Sequence, residues 1–238
     1  MQKLFRIAKV VFLWSKQVFE DDFLALKLLI LRQNPFEGRN LMELIAVTDD
    51  SHQVKELAEI IIAIKDEVDF VQIREKTKSA RNIIALLDEL QAAGMDQRKI
   101  IINNRLDIAL LKGIPNVHLP EHGIPVKMVK QRYPELRVGC SVHSYESTKE
   151  AEKDGADYVL YGHCFETDSK KDIPPNGIEP IFQMKMELAI PVYAIGGITI
   201  EKIPAIKQTK ADGIAVMSGI FQAGEPYSAA KKFGEAIS

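Results

Sequence analysis

Two glycine-containing segments near the end of the chain each follow an apolar run, at residues 194–198 (AIGGI) and 212–220 (DGIAVMSGI). Exposed backbone N–H groups at a strand-to-helix turn form an anion site. Two such turns on successive strands match the phosphate site of a (β/α)₈ barrel. We therefore predict a phosphorylated ligand, bound by Gly196, Gly197, Met217, Ser218 and Gly219. The alternative is that Gly-Gly only makes a tight turn.

The five histidines are the side chains whose ordinary pKa lies closest to neutral pH, which suits general acid–base chemistry. His143 follows an apolar run in the segment 141–144 (SVHS). We expect His52 to be solvated, His118 to pack at a strand end and His122 to lie on the surface. His163 follows another apolar run, and it either contacts a ligand or has a purely structural role.

Alternating polar side chains follow the second apolar run, where Gln72, Arg74 and Lys76 can place three polar groups on one side of a strand end. The two cysteines, Cys140 and Cys164, show no CxxC spacing, and we expect both to be core thiols. Few cysteines and no disulfide framework favour a reducing cytoplasm.

Strands and helices alternate without a break from Met42 onward, giving eight βα units. Each predicted strand is a continuous apolar run, as buried parallel strands require. The strands are predicted at residues 44–48, 70–73, 99–102, 117–119, 137–142, 158–161, 192–195 and 213–217. No G-x-G-x-x-G follows the first strand, so a dinucleotide-binding doubly wound sheet is disfavoured. The pattern predicts a (β/α)₈ TIM barrel whose chemistry lies at the C-terminal strand ends.

Residues 1–41 are predicted to be an N-terminal extension outside the barrel domain, which spans residues 42–238. The turn-rich stretch 34–38 (NPFEG) fits that boundary. The extension has no uninterrupted span of about 20 apolar residues, although a membrane-surface helix remains an alternative. A formal net charge of −2 gives no reason to expect nucleic acid or an anionic membrane as a partner.

Seven segments from the second strand to the eighth resemble the thiamine phosphate synthase family. They are residues 71–76 (VQIREK), 102–109 (INNRLDIA), 117–119 (VHL), 139–144 (GCSVHS), 157–170 and the two glycine turns. The resemblance implies a barrel whose synthases need Mg²⁺ to bind a pyrimidine pyrophosphate. It places Arg74, Lys76 and Lys170 at pyrophosphate-contacting positions, and it implies further substrate contacts from Asn104, Ser141, His163 and Thr167.

The chain departs from the synthase pattern at two positions, because Asn104 and Gly123 stand where the synthases carry aspartates. Mg²⁺ prefers carboxylate oxygens, so we predict no metal site and no organic cofactor. This departure resembles the TenI branch, whose members are thiazole tautomerases. That branch implies an aromatising isomerisation of a carboxythiazole phosphate, with His143 as the single catalytic proton shuttle. Arg74 and Lys76 then either pair structurally or bind the substrate carboxylate.

Two other functions remain open from the sequence. The first is an Mg²⁺-dependent thiamine phosphate synthase, and the second is a non-catalytic regulatory or ligand-binding relative of the same barrel. The polar loop 166–177, which carries Gly and Pro residues, is either a lid over the site or a merely mobile surface loop.

Overall fold

The computed structural model describes residues 42–238, and the predicted extension at residues 1–41 lies outside this range. Within it, eight parallel strands close into a barrel in sequence order. The strands are β1 (Glu43–Val47), β2 (Phe70–Ile73), β3 (Ile100–Asn103), β4 (Asn116–Leu119), β5 (Arg137–Val142), β6 (Tyr158–Gly162), β7 (Val192–Ile195) and β8 (Gly213–Val216). The pairing of β8 with β1 closes the ring, which confirms the predicted (β/α)₈ fold.

The helices lie in the connections between strands. They are α1 (Val54–Ile64), α2 (Ala80–Ala92), α3 (Leu106–Lys112), α4 (Val126–Arg132), α5 (Tyr145–Lys153), α6 (Glu179–Glu187), α7 (Ile203–Gln208), α8 (Ser218–Phe221) and α9 (Pro226–Ile237). Short 3₁₀ turns lie at Gln97–Lys99, Asp168–Lys170 and Ile200–Lys202. Ser79 and Ser144 cap the N-termini of α2 and α5, because their side-chain hydroxyls accept hydrogen bonds from the backbone N–H groups of Asn82 and Ser147.

Alternate strand residues face either the helices or the barrel interior. The larger apolar cluster fills the layer between strands and helices. A smaller cluster fills the interior and consists of Ile45, Val47, Ile101, Tyr158, Leu160, Tyr193 and Ala215. Gly139 leaves room for the Tyr158 ring, since a Cβ at Gly139 would lie 2.0 Å from it. The interior is therefore a packed core below the strand ends.

The N-terminal end of the barrel is closed by a cluster of aromatic and charged side chains. The Arg137 guanidinium lies 4.3 Å from the Tyr158 ring centroid and 4.6 Å from that of Phe70. Tyr193 Oη donates a hydrogen bond to the Glu43 carboxylate. This end is filled, so open space is left at the opposite, C-terminal end. No helix within residues 42–238 has the length and apolar character needed to cross a membrane.

Candidate functional site

A cavity of about 1460 Å³ opens at the C-terminal ends of the strands. It brings together all of the site residues predicted from the sequence. These are Arg74, Lys76, Asn104, Ser141, His143, His163, Thr167, Lys170, Gly196, Gly197, Met217, Ser218 and Gly219. Their shared position follows from the parallel barrel, in which every strand delivers its last residues to the same rim.

The turns after β7 and β8 present backbone N–H groups to this cavity. Within residues 42–238, the amides of Gly197, Ser218 and Gly219 donate to no protein acceptor. Gly197 has a φ of +64°, and a Cβ there would lie 2.2 Å from the carbonyl oxygen of Glu166. The glycine is thus needed for a close backbone approach. The Gly-Gly segment therefore makes a tight turn, and it also leaves backbone N–H donors free to bind an anion.

Arg74 and Lys76 bring positive charge to the same rim. The guanidinium of Arg74 contacts Met217 Sδ at 3.9 Å, and the Arg74 backbone N–H donates to Thr48 Oγ1 at 2.8 Å. The charge of Arg74, together with partial burial, lowers the pKa of Lys76 below its ordinary value. Two cations that repel one another in a cavity favour a polyanionic ligand.

His143 lies at the rim with both ring nitrogens facing polar groups. Its Nδ1 hydrogen-bonds the carbonyl oxygen of Gly162, and its Nε2 lies 3.5 Å from Glu121 Oε2. The amide of Asn176 donates to the carbonyl oxygens of His143 and Gly162, at 3.2 and 3.0 Å. These contacts orient the imidazole beside a carboxylate, and they anchor the far end of the loop 166–177 to β5 and β6.

Two pairs of polar side chains lie deeper, below the rim. Gln72 Nε2 donates to Asn103 Oδ1 at 3.1 Å, and His118 Nε2 lies 2.9 Å from Ser141 Oγ. Burial lowers the pKa of His118 to about 3, so its ring is neutral at physiological pH. These two pairs form a polar layer at the bottom of the cavity.

The residues present do not fit a carboxylate-held Mg²⁺ ion. Asn104 offers a neutral amide, and the Asn103 side-chain oxygen already accepts from Gln72. Nearby carboxylates are engaged, because Glu121 faces His143 and Glu75 pairs with Lys78 Nζ at 2.5 Å. Residues 42–238 contain no cluster of three or more His, Cys, Asp or Glu side chains that could hold a metal. Glu166, Asp168 and Asp172 also line the cavity, but they do not gather into the carboxylate set that octahedral Mg²⁺ coordination prefers.

The remaining histidines can be compared one by one with the predictions from the sequence. His52 was expected to be solvated, but this is wrong, because its Nε2 donates to the carbonyl oxygen of Phe221 at 2.8 Å. His122 has a side chain 94% exposed, as predicted. His163 is buried, and its Nε2 hydrogen-bonds the carbonyl oxygen of Ile173 at 3.1 Å. That bond ties His163 to the loop 166–177.

Both cysteines are buried and free, as expected for core thiols. Burial raises the pKa of Cys140 and of Cys164 to about 12, which keeps both thiols protonated at neutral pH. Neither thiol is among the described residues that line the cavity.

Glu121, which the sequence offers as a carboxylate that could replace a lost metal ligand, instead lies beside His143. Lys202 also lines the cavity, although the sequence did not single it out. Lys202 Nζ donates to the carbonyl oxygen of Gly197 at 2.6 Å and lies 4.6 Å from the Phe165 ring centroid. Lys202 lies only five residues after Gly197 in the sequence, and this short separation was the only signal for the contact.

Comparison with known proteins identifies the family. The family described as thiamine monophosphate synthase matches residues 44–220. The thiamine-phosphate synthase of Caldivirga maquilingensis is 37% identical over 80% of this chain and 94% of its own. That of Syntrophomonas wolfei is 36% identical over 74% of this chain and 86% of its own. The solved thiamine phosphate pyrophosphorylase of Pyrococcus furiosus superposes with a TM-score of 0.71 at 28% identity, covering 83% of this chain and 96% of its own.

These relatives overturn the prediction of an isomerase. They are named as synthases, which are transferases, whereas the tautomerase interpretation depended on two missing carboxylates. The physical error was to treat the loss of metal ligands as the loss of pyrophosphate binding, although Arg74 and Lys76 still line the same cavity. The thiazole tautomerase assignment is therefore wrong, and the chain belongs to the thiamine monophosphate synthase family.

Proposed function

We propose that this protein is a thiamine-phosphate synthase, a transferase that joins a pyrimidine diphosphate to a thiazole phosphate and releases pyrophosphate. The observation that carries this proposal is that one cavity holds two different groups of anion-binding elements. One is the set of free amides after β7 and β8, and the other is the cation pair Arg74 and Lys76 after β2. A one-substrate isomerase would offer these two cations a single carboxylate, whereas a diphosphate offers them a polyanion.

The thiazole phosphate is assigned to the turns after β7 and β8. The amides of Gly197, Ser218 and Gly219, with Gly196 and Met217 shaping the two turns, offer neutral donors suited to a monophosphate. Backbone donors are fixed by the strands that carry them, so they need little reorganisation on binding.

The diphosphate is assigned to Arg74, Lys76 and Lys170, with Asn104 as a neutral hydrogen-bonding neighbour. In the coupling reaction, the bond between the pyrimidine methylene carbon and the diphosphate oxygen breaks, and its electron pair leaves on that oxygen. The lone pair of the thiazole ring nitrogen forms the new C–N bond. Cations positioned at the leaving oxygens stabilise the negative charge that develops there.

This coupling moves no proton between carbon atoms, so it does not require the shuttle predicted for His143. The catalytic role of His143 stays a prediction from the sequence. The side chains of Asn103, Asn104 and Glu121 do not form a donor set that fits a metal ion.

Calorimetry with two ligands tests whether the cavity has two anion subsites. Thiazole phosphate is titrated into protein alone and into protein saturated with inorganic pyrophosphate. We expect binding in both cases, with one equivalent of each ligand per chain. If pyrophosphate blocks the thiazole phosphate competitively, the cavity has a single anion site and the two-substrate proposal fails.

A further inference from the structure

His118 is a buried histidine that the proposed reaction does not use directly. It lies on β4, is 1% exposed, and faces the barrel interior beside the Tyr158 ring, with 5.8 Å between the ring centroids. Its one side-chain hydrogen bond within residues 42–238 joins its Nε2 to Ser141 Oγ at 2.9 Å. Ser141 lines the cavity, so the contact links a buried ring to a group within reach of a ligand.

The neutral ring of His118 carries one proton, and the surroundings decide which nitrogen holds it. Nδ1 is sealed from solvent and has no hydrogen-bond partner among the described residues. A proton on Nδ1 would leave a buried N–H donor without an acceptor. A proton on Nε2 leaves Nδ1 as a bare acceptor, and unpaired buried acceptors are tolerated better than unpaired donors. The Nε2–H tautomer is therefore the favoured one.

We propose that His118 is a positioning residue that donates from Nε2–H to Ser141 Oγ and so commits the serine hydroxyl to act as a donor into the cavity. A serine hydroxyl has one proton and two lone pairs. With one lone pair occupied by His118, the proton has no protein acceptor among the described residues and faces the ligand space. Ser141 then selects a hydrogen-bond acceptor on the substrate.

This inference rests on the proposed function for the identity of the ligand. The pyrimidine diphosphate of that reaction offers two kinds of hydrogen-bond acceptor. They are the ring nitrogens and the diphosphate oxygens. Either kind would place an acceptor atom at the Ser141 hydroxyl. Because this hydroxyl is committed to donating, a donor group of the ligand would bind less well at the same place.

The tautomer can be measured without any assay of activity. Multiple-bond ¹H–¹⁵N correlation spectra of the uniformly ¹⁵N-labelled full chain distinguish the two neutral forms. At pH 5, well above the pKa of about 3 for His118, we expect an Nε2-protonated ring with a bare Nδ1. An Nδ1-protonated ring, or an imidazolium, would overturn the inference even if the protein proves to be a synthase.

A double-mutant cycle tests the coupling between the two side chains. His118→Phe keeps an aromatic ring without donors, and Ser141→Ala removes the hydroxyl. Each is expected to lower kcat/KM for coupling by roughly two- to ten-fold, the range for one neutral hydrogen bond. The double variant should lose no more than Ser141→Ala alone, because His118 acts through Ser141.

His118→Gln is the matched variant, since its amide can donate from near the position of Nε2, and it should recover part of the lost activity. If His118→Phe costs as much in the Ser141→Ala background as in the unmodified protein, His118 is merely structural and the inference fails. Calorimetry locates the acceptor. Weaker pyrophosphate binding by Ser141→Ala indicates a diphosphate oxygen, and weaker binding of the pyrimidine alcohol alone indicates a ring nitrogen. Unchanged binding of both ligands contradicts the inference.

Discussion

Replacing Arg74 with methionine should weaken pyrophosphate binding sharply while leaving the fold intact. The Arg74 side chain is only half-buried, and its described polar contact is a weak one to Met217 Sδ at 3.9 Å. Methionine keeps most of the apolar stem. What is lost is a charge-assisted hydrogen bond to the diphosphate, worth about 1.5–3 kcal/mol, so the Kd should rise by roughly ten- to a hundred-fold.

Lys76 offsets little of that loss. The charge of Arg74 is the main reason that the pKa of Lys76 lies below its ordinary value. Removing the guanidinium lets that pKa rise, but it adds no second positively charged side chain to the site. The Arg74→Met variant should therefore lose one cation from the site without gaining another.

The assay is calorimetric titration of inorganic pyrophosphate in the presence of EDTA. Arg105→Met is the matched control, because Arg105 lies at the same rim but already donates to Asp107 at 2.9 and 2.6 Å. We expect the control to change Kd by less than about two-fold, since a mutual pair leaves little net charge for a ligand. If Arg74→Met leaves Kd unchanged, or both variants lose affinity equally, the assignment of Arg74 is refuted.

Three further predictions concern the need for Mg²⁺, the binding of the monophosphate, and the contact of His52 with the carbonyl oxygen of Phe221. Excess EDTA should leave the coupling rate unchanged, and Asn104→Asp should make the rate respond to added Mg²⁺; a collapse of the unmodified enzyme in EDTA would contradict this. Gly219→Val should raise the KM for thiazole phosphate and also lower the melting temperature, because an added Cβ would lie 3.0 Å from Val216 and 3.3 Å from the Phe233 ring; an unchanged KM would remove Gly219 from the site. Burial lowers the pKa of His52, but its hydrogen bond to the Phe221 carbonyl and its pairing with Glu56 raise it above 6.5 overall. Protonated His52 thus stabilises the fold below pH 6.5, and this stabilisation is lost as pH rises through the folded-state pKa. Chemical denaturation of His52→Gln should show a loss of about 1 kcal/mol near pH 6 and a smaller loss near pH 9; an equal loss at both would refute the linkage.

The barrel was predictable because each strand is buried on both faces. Continuous apolar runs locate Phe70–Ile73, Arg137–Val142 and Val192–Ile195 at the observed bounds. The sequence at residues 49–51 (DDS) predicts the start of the first helix, but α1 begins only at Val54. In the structure, Asp50 accepts from Thr77, and Asp49 accepts from Gln222 and Ser51. Contacts between residues distant in sequence therefore override the local capping signal.

The membership of the site was predictable for a related reason, because strand ends share one rim. The interactions between these side chains were harder to predict. The sequence shows that Asn104 lacks a carboxylate, but it does not show that the charge of Arg74 lies close enough to lower the pKa of Lys76. Likewise, the pairing of Glu121 with His143 joins residues from two different loops. Distances across the rim decide these interactions, and no local pattern encodes them.

The coupling reaction itself tests the central claim most directly. Purified full-length protein is incubated with the pyrimidine diphosphate and the thiazole phosphate, and product formation and pyrophosphate release are followed together. A parallel reaction offers the non-aromatic carboxythiazole phosphate alone and follows its isomerisation. We predict that thiamine phosphate and pyrophosphate appear in equal amounts and at the same rate, without detectable isomerisation in the parallel reaction. Isomerisation of the single substrate, with no coupled product from the pair, would contradict the account.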